Sequence, residues 1–303
     1  MIPRDKKHAL VAIYLYICET YEQKLRFECL RYSNNSRPKF TDQELMTIYL
    51  FAVTIERRFK VTEMYDFANS YLKSWFPDIP SYPAFVMRLN RLSPCFKLLS
   101  ALLIEQGVAV SGILRNTALL DSMPIITCSG RRKGKVAPEI TDKGYNATKV
   151  GYFYGLKLHA LAYKRDGTIP YPASLVVSEA SESDLTAFKE NWSQIPGTTF
   201  YGDKIYHNAA YFSQLEASID SGMRTPVKGV KGKPERLTQM DKAADDLYSR
   251  AVSSVRQPIE SFFNWLIERT DIQRASKVRS TSGLLVHVLG KIAAAFIYVV
   301  FNP

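Results

Sequence analysis

The chain has few residues of the kinds that build disulfide frameworks or zinc sites. Its 303 residues include four cysteines and four histidines. No two cysteines have Cys-x-x-Cys spacing, and the histidines complete no zinc-binding pattern. The sequence also contains no internal repeat. These absences argue against a disulfide-stapled scaffold and a zinc module, and we interpret all four cysteines as reduced thiols.

Long hydrophobic runs are equally scarce. The N-terminal segment is charged, and the short apolar run after it has no small-residue cleavage site, which is unlike a signal peptide. The candidate membrane span covers residues 284–301, but it includes His287 and Lys291. Because a charged group near the centre of a bilayer is costly, we expect a buried helix there and no membrane partner.

Acidic residues are outnumbered by basic ones, 29 to 40, which gives a net charge of +11 and a pI near 9.4. Residues 129–150, 224–236 and 269–291 each carry a surplus of four positive charges. Basic loops of this kind are typical of proteins that contact phosphate groups. Solvated loops without any partner would show the same pattern, so charge alone leaves both interpretations open.

The first hundred or so residues predict helices and no strands. Apolar spacing indicates helices over residues 6–31, 45–57, 61–76, 81–92 and 95–108. Thr41 and Glu44 form a capping-box pattern, and Pro83 lies at a first-turn position where its missing N–H does no harm. We therefore predict an all-helical N-terminal domain over residues 1–111.

From about residue 112 the pattern changes to alternating strands and helices. Strands are predicted over residues 114–120, 152–163, 171–177, 199–202 and 223–227, with a hairpin turn near Gly167. Helices are predicted over residues 181–192, 208–219, 238–271 and 282–302, and residues 129–149 are predicted to form a basic loop. This order indicates an α/β domain with a mixed sheet over residues 112–303.

Three acidic residues stand out because each lies within or after an apolar segment: Asp121, Asp203 and Glu260. Asp203 follows Gly202 at the end of a predicted strand, where open α/β sheets bind their ligands. Carboxylates that meet in space can hold the two Mg²⁺ ions used in phosphodiester chemistry. Taken singly, each acid is explained as well by a strand-end turn or a solvated helix face.

Four motifs, in this order, make the chain resemble the DDE-type transposases of bacterial insertion sequences. They are Leu119-Leu120-Asp121-Ser122-Met123-Pro124, Tyr154-Gly155-Leu156-Lys157-Leu158-His159, Tyr201-Gly202-Asp203-Lys204 and Arg256-Gln257-Pro258-Ile259-Glu260. The resemblance implies an RNase H-like mixed sheet with flanking helices, preceded by a helical DNA-binding domain. The chain departs from the family pattern at Ile205, where Gly is common, and at Ser253 and Ile267.

The resemblance also implies a reaction and its partners. Asp121, Asp203 and Glu260 would hold two Mg²⁺ ions, with Mn²⁺ as a substitute, for cleavage at transposon ends and strand transfer into target DNA. Arg256 is a further catalytic candidate, because it shares a helix face with Glu260. The expected partners are double-stranded DNA (terminal inverted repeats and target) and a second copy in a homodimer, in the bacterial cytoplasm at the nucleoid. The alternatives are a catalytically inactive DNA-binding relic and a metal-dependent DNA nuclease.

Basic residues near these motifs are candidate DNA contacts, each with a solvated or structural role as the alternative. The candidates are Lys204, Lys157, His159, Arg131, Arg132, Lys133, Lys228, Lys231, Lys233, Arg88 and Arg91. Asp184 begins the predicted helix after the hairpin, and we interpret it as a favourable N-terminal charge rather than a fourth metal ligand.

Overall fold

A computed structural model describes residues 4–30, 38–110, 113, 115–131, 134–146, 150–228 and 235–301. Its N-terminal part is helical, as predicted. The helices are α1 (Arg4–Gln23), α2 (Asp42–Thr54), α3 (Val61–Phe67), α4 (Tyr82–Arg91) and α5 (Ser93–Val110). The capping box is present: the Thr41 hydroxyl accepts the Glu44 N–H, and the Glu44 carboxylate accepts the Thr41 N–H.

A six-stranded mixed sheet forms the centre of the second part. Its strands are β1 (Thr117–Ser129), β2 (Asp142–Asn146), β3 (Gly151–Tyr163), β4 (Tyr171–Glu179), β5 (Thr199–Tyr201) and β6 (Gly222–Arg224). They lie in the order β2-β3-β1-β5-β6, and β4 pairs with β3. β3 is antiparallel to β1, β2 and β4, whereas β5 is parallel to β1 and β6. This is the RNase H-like arrangement, so the predicted fold class is confirmed.

Helices cover both faces of the sheet and complete the chain. They are α6 (Asp184–Asn191), α7 (Ala209–Ile219), α8 (Glu235–Arg256), α9 (Pro258–Thr270), α10 (Thr281–Leu285) and α11 (Lys291–Phe301). A π-helical turn joins α10 to α11 in one continuous segment. The helix predicted over residues 238–271 is two helices, because Pro258 has no N–H to continue the hydrogen-bond ladder of α8.

Two predictions for the sheet were wrong: the end of the first strand and the loop over residues 129–149. The first strand does not end before Asp121 but passes through it and continues to Ser129. The segment predicted as a basic loop over residues 129–149 contains β2, which pairs with the first half of β3. β2 is polar and largely uncovered, so it lacks the apolar alternation that identifies a strand in a sequence.

Two apolar clusters hold the sheet between its helices. One side of β1 and β3 packs through Leu119 and Leu158 against the N-terminal and C-terminal helices. The other side packs through Leu120 and Leu161 against the helices that follow the hairpin. α11 contacts both α2 and α5, so the first cluster extends across the predicted boundary at residues 111 and 112. That boundary stays a prediction.

The apolar segment at the C-terminus belongs to the core. By length and composition Thr281–Phe301 could cross a membrane, yet 61% of its most apolar window is buried within the fold. His287 lies 2.8 Å from the carbonyl oxygen of Ile272, and the Lys291 ammonium donates to the carbonyl oxygen of Asp271 at 3.1 Å. Both side chains therefore satisfy their polar atoms at the end of α9, where a helix presents unpaired carbonyls.

Two of the four cysteines lie side by side in the core. Cys29, in the turn after α1, and Cys95, in α5, are both buried, and their Cα atoms lie 6.3 Å apart with the sulfurs in contact. We interpreted all four cysteines as separate thiols and did not expect two of them to lie in contact. Cys18 and Cys128 are unpaired.

Candidate active site

Asp121 and Asp203 are brought together by the parallel pairing of β1 with β5. Leu119 lies opposite Tyr201 in that pairing, so each acid is two residues beyond the last paired position. Neighbouring strands lie about 4.8 Å apart. β5 ends at Tyr201 while β1 continues, and Asp121 therefore lies on β1 just beyond the end of its parallel partner.

Arg256 connects Asp121 to the third acid. Its guanidinium donates to Asp121 Oδ2 at 3.1 Å and to Glu260 Oε1 at 2.8 Å. Arg256 is the last residue of α8 and Glu260 lies in the first turn of α9, so the junction of these two helices carries both side chains to the sheet. The three predicted acids thus lie in one region of the structure, and a cation from the protein itself bridges two of them.

Burial dominates the electrostatics of Asp121. The pKa of its carboxyl is raised to about 6, chiefly by burial and in smaller part by the charges of Asp184 and Glu260. Arg256 and the N–H of Ser122 act in the opposite direction but do not cancel the rise. Burial disfavours the charged form of this carboxylate, and a cation bound directly to it would offset that penalty.

Asp184 forms the centre of a second cluster next to the first. Its Oδ1 accepts a hydrogen bond from Ser122 Oγ at 2.9 Å and lies 3.3 Å from Lys157 Nζ and 3.4 Å from His159 Nδ1. The residue is 8% exposed. Our interpretation of Asp184 as a simple helix-terminus charge is thus incomplete, since its carboxylate also connects α6 to β1 and β3.

Lys157 and His159 both lie beside Asp184, but neither presents a free charged end to solvent. The Lys157 ammonium also donates to the carbonyl oxygen of Glu182 at 2.5 Å. The His159 ring is fully buried, and its other nitrogen lies 2.8 Å from Ser178 Oγ. The pKa of His159 is lowered to about 4, chiefly by burial; the charge of Asp184 opposes this shift and that of Lys157 adds to it. We therefore do not retain the buried, neutral His159 as a DNA contact.

Tyr206 lies below the acids and was not singled out by the sequence. Its ring is fully buried, and its hydroxyl has no hydrogen-bond partner among the described residues. Burial raises its pKa well above the usual range, and the charges of Asp184, Asp121 and Asp203 contribute to the same rise. The hydroxyl therefore keeps its proton and is a donor close to three carboxylates.

Ile205, the departure from the family pattern, points into solvent. It belongs to a short 3₁₀ turn, Lys204–Tyr206, and is 51% exposed while Tyr206 is buried. Gly202 makes this turn possible, because a Cβ at residue 202 would come within 2.6 Å of the Tyr206 ring. Isoleucine in place of glycine at residue 205 therefore leaves the inner surface of the turn unchanged.

Gly202→Ala is expected to destabilise the fold by about 1–3 kcal/mol, the usual range for an extra methyl group in a packed interior. Chemical denaturation monitored by circular dichroism measures the loss. In a Tyr206→Ala background, Gly202→Ala should lower the free energy of unfolding only slightly further, because the ring that the added methyl group would contact is absent. Equal losses in both backgrounds would show that the ring of Tyr206 is not what requires glycine.

Arg88 and Arg91, the predicted contacts of the N-terminal helices, are engaged within the protein. Arg91 donates to the carbonyl oxygen of Cys29 at 2.6 Å and forms an ion pair with Asp42. Arg88 donates to the carbonyl oxygen of Phe40 and lies 3.6 Å from Asp42. Both side chains hold α4 against the beginning of α2. Their guanidinium groups therefore have a structural role and do not form an exposed DNA-binding face.

The remaining basic candidates divide into two groups. Lys204, Arg131 and Lys228 are exposed at the surface, where a phosphate group could reach them. The others lie outside the described residues: Arg132, Lys133, Lys231 and Lys233.

The residues at the site are chemically suited to a divalent metal ion, although they do not form a closed cluster. Carboxylate oxygens are the ligands that Mg²⁺ prefers, and a bound cation would offset the cost of burying the charge of Asp121. Within the described part of the chain, however, no three acidic, histidine or cysteine side chains converge as a metal-binding group. In this conformation Arg256 lies between Asp121 and Glu260, where it supplies the positive charge.

The order of the strands, and the position of Asp121 and Asp203 just beyond the parallel pairing of β1 with β5, are those expected of an RNase H-like transposase domain. The family model described as "Transposase DDE domain" matches residues 114–297, well over half of the chain, and the chain belongs to this family. Comparison with curated proteins and with solved structures finds no match. The N-terminal helices precede the matched range.

Proposed function

We propose that the protein is a DNA transposase that cleaves DNA at the ends of its own element and joins the freed ends to target DNA. The proposal assigns metal binding to Asp121, Asp203 and Glu260 and a catalytic role to Arg256. The observation that carries it is the contact between distant segments: Arg256 links Asp121 to Glu260, which lies 139 positions further along the chain, and Asp203 follows the strand that pairs in parallel with β1.

Mg²⁺, or Mn²⁺ in its place, would be held by these three carboxylates, and when bound it activates a water oxygen and stabilises charge on the leaving oxygen. The side chains of the protein orient that chemistry. Arg256 presents a planar guanidinium whose two terminal nitrogens each bind one carboxylate, and the same nitrogens could bind a phosphate group. Tyr206 keeps its proton at a fully buried hydroxyl, so it stays neutral below the acids.

Double-stranded DNA is the proposed substrate, with terminal inverted repeats recognised by the N-terminal helices. The net charge of +11 supports an anionic partner. Within the basic segments, Lys204, Arg131 and Lys228 are proposed phosphate contacts. We further propose a homodimer on DNA, in a bacterial cytoplasm at the nucleoid.

Cleavage of the native flanking DNA tests this function. The substrate is a plasmid carrying the coding segment with several hundred base pairs on either side. We expect Mg²⁺-dependent breaks at two fixed positions and, with a second plasmid present, joined products. EDTA should abolish both. Cleavage without any joining would favour a nuclease, and DNA binding without cleavage in Mg²⁺ or Mn²⁺ would favour an inactive relic; either result overturns the proposal.

A further inference from the structure

Ser122 is held between two carboxylates that lie on opposite faces of β1. Its N–H donates to Oδ1 of the preceding Asp121 at 2.9 Å, and its hydroxyl donates to Asp184 Oδ1 at the same distance. Because side chains alternate along a strand, Asp121 lies on the face that packs against α9 and Ser122 lies on the face of α6. One residue, Ser122, therefore makes hydrogen bonds to both carboxylates.

Asp184 is itself firmly placed, which is what such a role requires. Its helix is capped by Ser183, whose hydroxyl accepts the N–H of Thr186 at 3.1 Å. Lys157 and His159, both on β3, approach the same oxygen that accepts the Ser122 hydroxyl. The carboxylate is thus held by the Lys157 ammonium of β3 and by its own helix, and among the described residues Ser122 connects it directly to the segment that bears Asp121.

We propose that Asp184 is a positioning residue for the reaction, and that it acts through Ser122 to hold the carboxylate of Asp121 in place. The inference rests on the proposed function, since it assigns a role in the same site. Asp184 touches neither DNA nor metal in this scheme. Its effect reaches Asp121 through two hydrogen bonds, in the way that outer groups orient metal ligands elsewhere.

Removing the Ser122 hydroxyl tests the connection between Asp184 and Asp121, because it breaks the hydrogen bond to Asp184 and leaves both acids in place. In Ser122→Ala, cleavage at saturating DNA should fall by about 10-fold, within the 10- to 100-fold range usual for such outer contacts. The DNA concentration for half-maximal rate should not change. Ser122→Thr keeps the hydroxyl in a residue suited to a strand, and it should restore most of the rate. Asp184→Asn should reduce the cleavage rate about as much as Ser122→Ala. The double variant should cleave no more slowly than the slower of the two single variants, because both changes break the same connection.

Ser178→Ala is the matched control, because it removes a hydroxyl from the far side of the same cluster. Ser178 contacts His159 and not Ser122 or Asp121. We expect its cleavage rate to stay within about twofold of the wild type, since surface and distant changes usually have small effects. Circular dichroism and thermal unfolding of each variant separate loss of the fold from loss of the connection.

Binding of Mn²⁺ to the DNA-free protein, measured by calorimetry, gives a second readout that does not depend on activity. Ser122→Ala should weaken Mn²⁺ binding, and Ser178→Ala should not. If the wild type cleaves DNA and Ser122→Ala equals it in both rate and Mn²⁺ binding, the inference is overturned while the proposed function stands. If the wild type neither cleaves DNA nor binds Mn²⁺, the proposed function is overturned and the inference with it.

Discussion

Replacing Asp121, Asp203 or Glu260 by its amide is expected to reduce DNA cleavage about a thousandfold or more, equivalent to at least 4 kcal/mol of lost transition-state stabilisation. Each change keeps the shape of the side chain and removes the negative charge that a divalent ion requires. Binding of the flanking DNA, measured by gel shift, should remain nearly intact, because the basic surface residues are untouched. The three variants should therefore separate binding from chemistry.

An exposed acid provides the matched control for these variants. Asp166 lies at the tip of the β3–β4 hairpin, and its side chain is 80% exposed next to Lys164. Asp166→Asn should cleave as well as the wild type. Full cleavage by any one of the three amide variants would remove that residue from the site. Loss of cleavage in Asp166→Asn as well would indicate a general charge effect.

Replacing Lys291 by Met is expected to change how stability depends on pH. Burial lowers the pKa of the Lys291 ammonium to about 7, although the charge of Asp271 opposes this shift. In the unfolded chain a lysine titrates near 10.4. Between these two values the unfolded chain binds more protons than the folded one, so Lys291 makes the wild type gain stability as pH rises. The full effect is of the order of 5 kcal/mol, because the two pKa values differ by roughly 3.4 units at about 1.4 kcal/mol per unit.

Denaturant unfolding at pH 7.5 and pH 9.5 measures this effect. Lys291→Met should show a smaller stability gain between the two pH values than the wild type, because Met fills a similar volume and does not titrate. Lys277→Met, at an exposed lysine, should keep the wild-type dependence. An unchanged pH dependence in Lys291→Met would mean that another group is responsible.

Local signals in the sequence predicted much of the fold. The Thr41 capping box and the hairpin between β3 and β4 depend on residues that are close together in sequence, and both are confirmed. β2 was missed because an uncovered edge strand has no apolar face to reveal it. The extension of β1 past Asp121 was missed because its pairing with β3, which is distant in sequence, overrides the local end signal.

The candidate site was predictable as a set of charges but not as a set of contacts. Spacing and resemblance singled out Asp121, Arg256 and Glu260, and the structure joins these three. The part played by Ser122 depends on which atom faces which neighbour across the sheet, and sequence spacing carries no such information. Tyr206 was passed over because an aromatic residue after a strand is usually an ordinary part of the core.

The C-terminal helix has a consequence for the synthesis of the protein. The Tyr49 and Thr54 hydroxyls of α2 donate to carbonyls of Val286 and Ala294, 237 and 240 positions away in sequence. While the chain is being translated, α2 and α5 therefore leave the ribosome long before the helix that covers them is made. During that interval their apolar surfaces are exposed and can aggregate or make non-native contacts. A frameshift or stop codon near residue 281 would thus remove the centre of the core and disable the whole chain.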